Sequence, residues 1–398
     1  MRNDGGLKMK TVIGLLFGCP SVEHEVAIIS ALQAMQSLNK DKYDPIPIYI
    51  SKDGQWYMGD PLKDIERFRK GIDEMLKECQ KVIVSTNAGD GTVFLYPQGF
   101  RNKKPLAKID VFLPVMHGAY GEDGSIQGFL EMTGIPYVGP NVLAASVGMD
   151  KVAQKALCKM GDIPVLDCFW FYSSEWSLRD LEILNFIEAK FKYPVIVKPA
   201  NLGSSIGIKV AHHRDDLVDA IELACRYSQK VLVEPAIINL KEVNIAVLGD
   251  TEEAEVSELE EPLNADEILS FQDKYISDGG EKSSGMATLK RKIPAEIPES
   301  MANEIRGLAK DAFYCLNGTG VWRLDFMIDM DTDKVYLNEV NTIPGSLSFY
   351  LWEPKGVSYP DLLDRLVEIA LRVKRRRENM IVSFQSNILA QGGFKGKK

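Results

Sequence analysis

At 398 residues the chain is too long for one compact core, which predicts two or three domains. Its make-up, 45% apolar and 26% charged, is that of an ordinary globular enzyme, and a net charge of −9 argues against a nucleic-acid binder, whose footprint is basic. No apolar run approaches a membrane span, and the six cysteines include no Cys-x-x-Cys pair, which favours reduced thiols over a metal or disulfide framework.

In chain order, "TVIGLLFG" (11–18) reads as a buried first strand. Lys10 precedes it as in a signal peptide, but the run is short and no small-residue cleavage site follows, so the chain reads as cytoplasmic. "SVEHEVAIISALQAMQSL" reads as a helix entered at Ser21, with Glu23 and Glu25 as first-turn acids that suit the helix dipole. With the strand "YDPIPIYIS" this makes a doubly wound opening. The charged stretch 60–105 matches no core motif. "IDVFLPVMHGAYGEDGSIQGFLEMTGIPYVGP" then gives a strand, a glycine-rich loop from His117 to Gly124, a helix and a short strand.

From "SVGMDKVAQKALCKMGDIPV" the pattern changes to α+β, carrying "YPVIVKPANLGSSIGIKVAHH", a helix near 214–226 and the strand "KVLVEPAI". Beyond it come "EVNIAVLGD", a polar segment at 271–290, the helix "PESMANEIRGLAKDAFYCL" and the strands "GVWRLDFMID" and "KVYLNEVNT" joined by the turn "MDTD". A last helix runs from about Tyr359 to Arg377, its terminal cations Lys374–Arg377 suiting the dipole better than a nucleic-acid patch. Residues 379–398 read as a loose tail.

Chemistry concentrates in the final strand pair. Arg323 and Asp325 are two apart, as are Glu339 and Asn341, so each pair shares a strand face, and the tight turn makes the strands antiparallel neighbours. Two carboxylates and an amide oxygen are hard ligands suited to Mg²⁺ or Mn²⁺, and an adjacent arginine can hold a phosphoryl oxygen. A solvated surface hairpin is the bland alternative; Val321, Leu324, Phe326, Val335 and Leu337 are too apolar for it. Lys198 ends an apolar strand before the small-residue loop Asn201–Gly207, whose amides can approach a phosphate, although neither a Walker loop nor a Rossmann fingerprint occurs. Lys151 in "GMDK" is a second phosphate candidate and reads equally as a solvated lysine opening a helix.

These segments resemble those of the ATP-grasp ligases in order and spacing. With "GCPSVEHEVAI" and "MHGAYGEDGSIQGFLEMTGIPYVG", the chain from about Thr11 to Arg377 resembles the D-alanine–D-alanine ligase family in particular. The resemblance implies an α/β and α+β fold of three-domain ATP-grasp architecture: an N-terminal doubly wound (pre-ATP-grasp) domain over 1–139, a central subdomain over 140–233 and a C-terminal subdomain over 234–378. It implies ATP as co-substrate, two Mg²⁺ (or Mn²⁺) ions on Asp325, Glu339 and Asn341, D-alanine as substrate and a homodimer. Lys151, Lys198, Ser205 and Lys274 would contact the phosphates, Glu234 would lie beside adenine and Glu242 would bond the ribose. Glu23 would anchor the first substrate's ammonium and bond a Ser204–Tyr275 pair, with Lys274 and Tyr275 on a mobile lid. His117 would sit near the first substrate's carboxylate, and Arg323 and the Gly345 amide would stabilise an oxyanion.

The bland alternatives are a satisfied loop histidine at His117 and a first-turn acid at Glu23. The chain departs from the family where a serine and a histidine commonly follow "PG": it reads "SLSFYLW", leaving Ser346, Ser348 or the Tyr350 hydroxyl to meet the second substrate. D-serine or D-lactate as acceptor, and a nucleotide-binding protein without ligase activity, are the competing expectations.

Overall fold

In the computed structural model, which describes residues 10–85, 93–97, 104–263 and 291–381, the strands form three sheets. The first comprises β1 (Thr11–Gly18), β2 (Tyr43–Ile50), β3 (Trp56–Met58), β4 (Gln80–Val84), β5 (Val93–Pro97), β6 (Ala107–Ile109) and β7 (Val111–Pro114), in spatial order β6-β5-β4-β3-β2-β1-β7. The second comprises β8 (Phe169–Tyr172), β9 (Val195–Pro199), β10 (Lys209–Ala211) and β11 (Lys230–Pro235), in the order β10-β9-β11-β8. The third holds β12 (Leu240–Gly249), β13 (Ala254–Pro262), β14 (Arg291–Lys292), β15 (Gly320–Asp329) and β16 (Lys334–Asn341), in the order β14-β13-β12-β15-β16.

β1 reads as unbroken apolar sequence because β2 and β7 flank it in parallel, and Ile13, Leu15, Leu16 and Phe17 are all 0% exposed. The doubly wound unit ends there. Stretch 60–105, which matched no motif, extends the same sheet through antiparallel pairings from β3 to β6. In β4 only Val82 is buried, so the alternation that marks a strand is weak.

The first helix spans His24–Ser37, three residues later than the Ser21 entry read from sequence. Burial of His24 sets that start: its ring bonds the Cys19 carbonyl at 2.6 Å and the Tyr49 hydroxyl at 2.9 Å. Glu23 therefore stands at the N-cap position without capping the helix, and Glu25 is the first-turn acid.

The cores do not follow chain order. Leu362, Leu363 and Leu366 of the Tyr359–Glu378 helix pack with Ile28, Leu32 and Phe17 of the first sheet's layer. Ala144, Val147 and Cys158, from the helices Val142–Met149 and Lys151–Met160, join the core beneath the third sheet. β11 runs across the expected boundary at 233/234 and ends at Pro235. Asp250, its side chain fully buried, ties the last helix down by accepting from Arg372 Nε at 2.8 Å and Arg376 Nη2 at 2.5 Å. No helix among the described residues is long and apolar enough to cross a membrane.

Leu362 is 0% exposed in the shared core. Leu362→Ala should cost about 2–5 kcal/mol. Urea denaturation checks this: an unchanged midpoint would mean that the last helix does not belong to that core.

Candidate active site

The third sheet supplies the acidic half of the site. β15 and β16 are antiparallel, with Arg323 opposite Asn341 and Asp325 opposite Glu339. Strict alternation would leave Glu339 and Asn341 on the same face as Val335 and Leu337, which pack into the core. The register shifts between Asp325 and Phe326, leaving Asn338 as an extra residue in β16. Val340 thereby takes over the core face, while Glu339 and Asn341 turn toward the cleft. Arg323 clasps Asp325 in a two-pronged bond, Nε and Nη2 each at 2.7 Å, and Asn341 Nδ2 donates to Asp325 Oδ2 at 3.0 Å.

A helix start and the second sheet together supply the basic half. Lys151 opens the Lys151–Met160 helix, whose N-cap is Asp150, and is 5% exposed. Its ammonium donates to the Leu202 carbonyl at 2.8 Å and lies 3.3 Å from Glu339 Oε2. Lys198 on β9, also 5% exposed, donates to Asn338 Oδ1 at 3.0 Å and pairs with Glu234 Oε1. Glu234 on β11 is 0% exposed. Burial would raise its carboxyl, but Lys198 and Lys155 outweigh burial and hold it at about 2. Glu242 is exposed near the start of β12, on the face that brings Asn244 beside Asp325.

The first sheet closes the remaining side. Glu23, 8% exposed, accepts a bond from Ser204, and both Ser204 and Ser205 sit in left-handed backbone, φ +54° and +57°. The glycine-rich loop passes close enough that a Cβ on Gly118, φ +73°, would lie 2.6 Å from Ser21 Oγ and 2.8 Å from Glu23 Oε2. Glu122 accepts from the Gly118 amide at 2.8 Å and from the Ile343 amide at 3.1 Å. Burial and then the Glu23 carboxylate push its own carboxyl up to about 8. A narrow cavity of about 30 Å³ is lined by Glu23, Glu122, Lys151, Gly203, Glu339 and Asn341.

His117, 4% exposed, is internally satisfied: Nδ1 lies 2.8 Å from the Ile343 carbonyl, and Nε2 lies 3.1 Å from Ser30 Oγ. Gly345 begins a turn over Gly345–Leu351 in which Ser346, Leu347 and Ser348 all have positive φ. Ser348 Oγ is buried and has no hydrogen bond among the described residues. The Tyr350 hydroxyl lies 3.3 Å from Glu260 Oε2, with the Arg291 guanidinium 4.0 Å over its ring. Lys274 and Tyr275 lie outside the described residues.

Sequence reasoning brought the hairpin, both lysines, Glu23 and Ser204 to one cleft. It missed Lys155, whose signal is its four-residue spacing from Lys151, and Glu122, hidden among loop residues. It also missed the bulge, although the apolar positions shift phase between Leu337 and Val340.

A lysine at a helix start and a lysine of the second sheet, facing carboxylates of the third across a cleft, define an ATP-grasp enzyme. The family models described as "D-ala D-ala ligase N-terminus" and "D-ala D-ala ligase C-terminus" match residues 12–140 and 157–368. The chain belongs to the D-alanine–D-alanine ligase family. It is 39% identical over 377 residues to a D-alanine–D-alanine ligase of Thermosipho melanesiensis, covering 95% of this chain and 98% of the relative. It is 40% identical over 382 residues to that of Acetivibrio thermocellus, covering 92% and 96%. Among solved structures, the D-alanine–D-alanine ligase of Coxiella burnetii superposes with a TM-score of 0.75 at 27% identity, covering 94% of this chain and 98% of that one. A D-Ala:D-Ser ligase from Enterococcus faecalis gives 0.74 at 29%, covering 91% and 100%.

Two predictions follow the geometry. Gly118→Ala should push Glu23 out of place and lower activity more than thermal stability, read from kcat/KM beside a melting curve. His117 is held down to about 4, chiefly by burial, whereas an unfolded histidine titrates near 6.5. Its contribution to stability is therefore complete above pH 6.5 and is lost as pH falls toward 4, where only the unfolded chain readily takes the proton. The ligand-free protein should lose roughly 3 kcal/mol more than His117→Gln across that window, measured by urea denaturation.

Proposed function

We propose that the protein joins two D-alanine molecules using ATP, forming D-alanyl-D-alanine for peptidoglycan synthesis. The observation that carries this reading is the juxtaposition of Asp325, Glu339 and Asn341 with Lys151 and Lys198 across one cleft. Lys151 pairs with Glu339 and Arg323 with Asp325, so cations and carboxylates of the cleft lie within reach of one another. Entry of a triphosphate exchanges these pairs for phosphate oxygens on the cationic side.

A divalent cation fits the acidic side. The donors are two carboxylates and an amide oxygen, a set that leaves room for phosphate and water oxygens and suits Mg²⁺ over Zn²⁺. Asp325, Glu339 and Asn341 would hold it, and when bound it would neutralise charge on the transferring phosphoryl group.

The reaction has two steps. The first D-alanine's carboxylate attacks the γ-phosphorus of ATP, releasing ADP and leaving an acyl phosphate; the second D-alanine's amine attacks that carbonyl and phosphate departs. Lys151, Lys198 and Ser205 hold the phosphates, Glu234 borders adenine and Glu242 bonds the ribose. Glu23, held by Ser204, fixes the first ammonium, and His117 acts on the first substrate by fixing the Ile343 backbone. Arg323 and the Gly345 amide face the oxyanion, and Ser348 and Tyr350 meet the second substrate. A lid bearing Lys274 and Tyr275 excludes water from the acyl phosphate. A cytoplasmic homodimer completes the reading.

D-Serine as acceptor is the second reading, favoured by Tyr350 and Phe349 near the places of the family's serine and histidine, with Glu260 and Arg291 against the Tyr350 hydroxyl and ring. Phosphate release with ATP and Mg²⁺ across D- and L-amino acids and D-lactate tests both. D-Alanine should give the highest kcat/KM; the lowest value among D-alanine, D-serine and D-lactate would overturn the assignment. Glu339→Gln should reduce phosphate release by about 100-fold or more with the fold intact. Unchanged release would remove the cation from Glu339.

A further inference from the structure

The Lys151–Met160 helix sends two lysines from one face, a turn apart. Lys151 reaches the cleft. Lys155, its side chain 3% exposed, passes behind it, lying 2.8 Å from Glu234 Oε2 and donating to the Leu166 carbonyl at 3.3 Å. The other oxygen of Glu234 takes Lys198, which also reaches Asn338 on the opposite sheet. Among the described residues, two ammoniums thus share one buried carboxylate, leaving one positive charge in surplus. A buried charge without a full counter-charge is disfavoured until a partner arrives.

We propose that Lys155 is a positioning residue for the nucleotide: it neutralises Glu234 from behind and so leaves the Lys198 ammonium as surplus charge for a phosphate. The inference rests on the ATP-dependent reading above. Lys155 itself touches no phosphate. Without it, Glu234 and Lys198 collapse into a one-to-one pair, and the nucleotide must compete with a buried carboxylate for that ammonium. A lysine that merely anchored the helix to β11 would have no such selective effect.

Lys155→Met and Lys155→Gln separate the two roles. Each should raise the KM for ATP about tenfold or more, with kcat and the KM for D-alanine within about threefold of wild type. In the Lys155→Met/Glu234→Gln double variant the carboxylate charge is gone too, so the KM for ATP should fall at least about threefold below that of Lys155→Met. An unchanged KM for ATP, a uniform loss of kcat and both KM values, a double variant no better than the single, or failure of both single variants to fold would each overturn the proposal. Calorimetric titration with Mg–ATP isolates it from the acceptor assignment. If wild type binds nucleotide but ligates no D-amino acid, the binding ratios still decide the role of Lys155. If wild type binds no Mg–ATP, the functional reading itself fails and takes this inference with it.

Discussion

One inserted residue sets the chemistry of the cleft. A regular strand turns alternate residues to opposite faces, so β16 could not bury Val335 and Leu337 and also turn Glu339 and Asn341 to the cleft. The bulge at Asn338 resolves that conflict, letting the apolar residues before it and Val340 after it share one core. The bulged residue is also used: its amide oxygen accepts from Lys198, linking the third sheet to the second. Sheet register, the acidic side of the cleft and the contact between the sheets therefore depend on the same irregularity.

Electrostatics follows from this geometry. Buried and half-buried charges are tolerable only when paired, and every charged side chain of the site that the structure describes in the cleft floor has a partner within the protein. Such pairs are close to neutral in net stability, since desolvation offsets most of the attraction. Exchanging them for a triphosphate and its cations consequently need not unfold anything.

Much of this was legible from sequence because the relevant spacings are short. Arg323 and Asp325, or Glu339 and Asn341, are two residues apart, and a tight turn brings the pairs together. Lys198 and Ser204 share one strand-loop unit. What escaped was non-local or irregular. β4 and β5 belong to a sheet whose identity is fixed by pairing with distant strands rather than by a clear alternation. Lys155 looked like any helix lysine, because only the fold places a fully buried carboxylate behind it. For Glu23 the dipole argument alone favours a first-turn acid and only the family resemblance sets it beside Ser204; burial of His24 delays the helix start and leaves Glu23 at the N-cap position, where it accepts from Ser204.

The turn Gly345–Leu351 shows how strain and interlocking go together. Ser346, Leu347 and Ser348 adopt left-handed backbone in succession, at roughly 1–2 kcal/mol for each non-glycine residue. Burial of Leu347, Leu351 and Trp352 offsets that cost, in the same core that joins the last helix to the first sheet. Polar contacts then fix the turn from outside it: the Ser346 amide donates to Ser30 Oγ at 3.0 Å, Ser30 adjoins His117, and His117 bonds the Ile343 carbonyl. A residue of the first helix thus holds a turn more than three hundred positions away, and neither segment alone could sustain that conformation. The turn leading to Tyr350 is thus held by three parts of the chain at once, so its shape is a property of the assembled fold rather than of the short motif that replaces the family's serine and histidine.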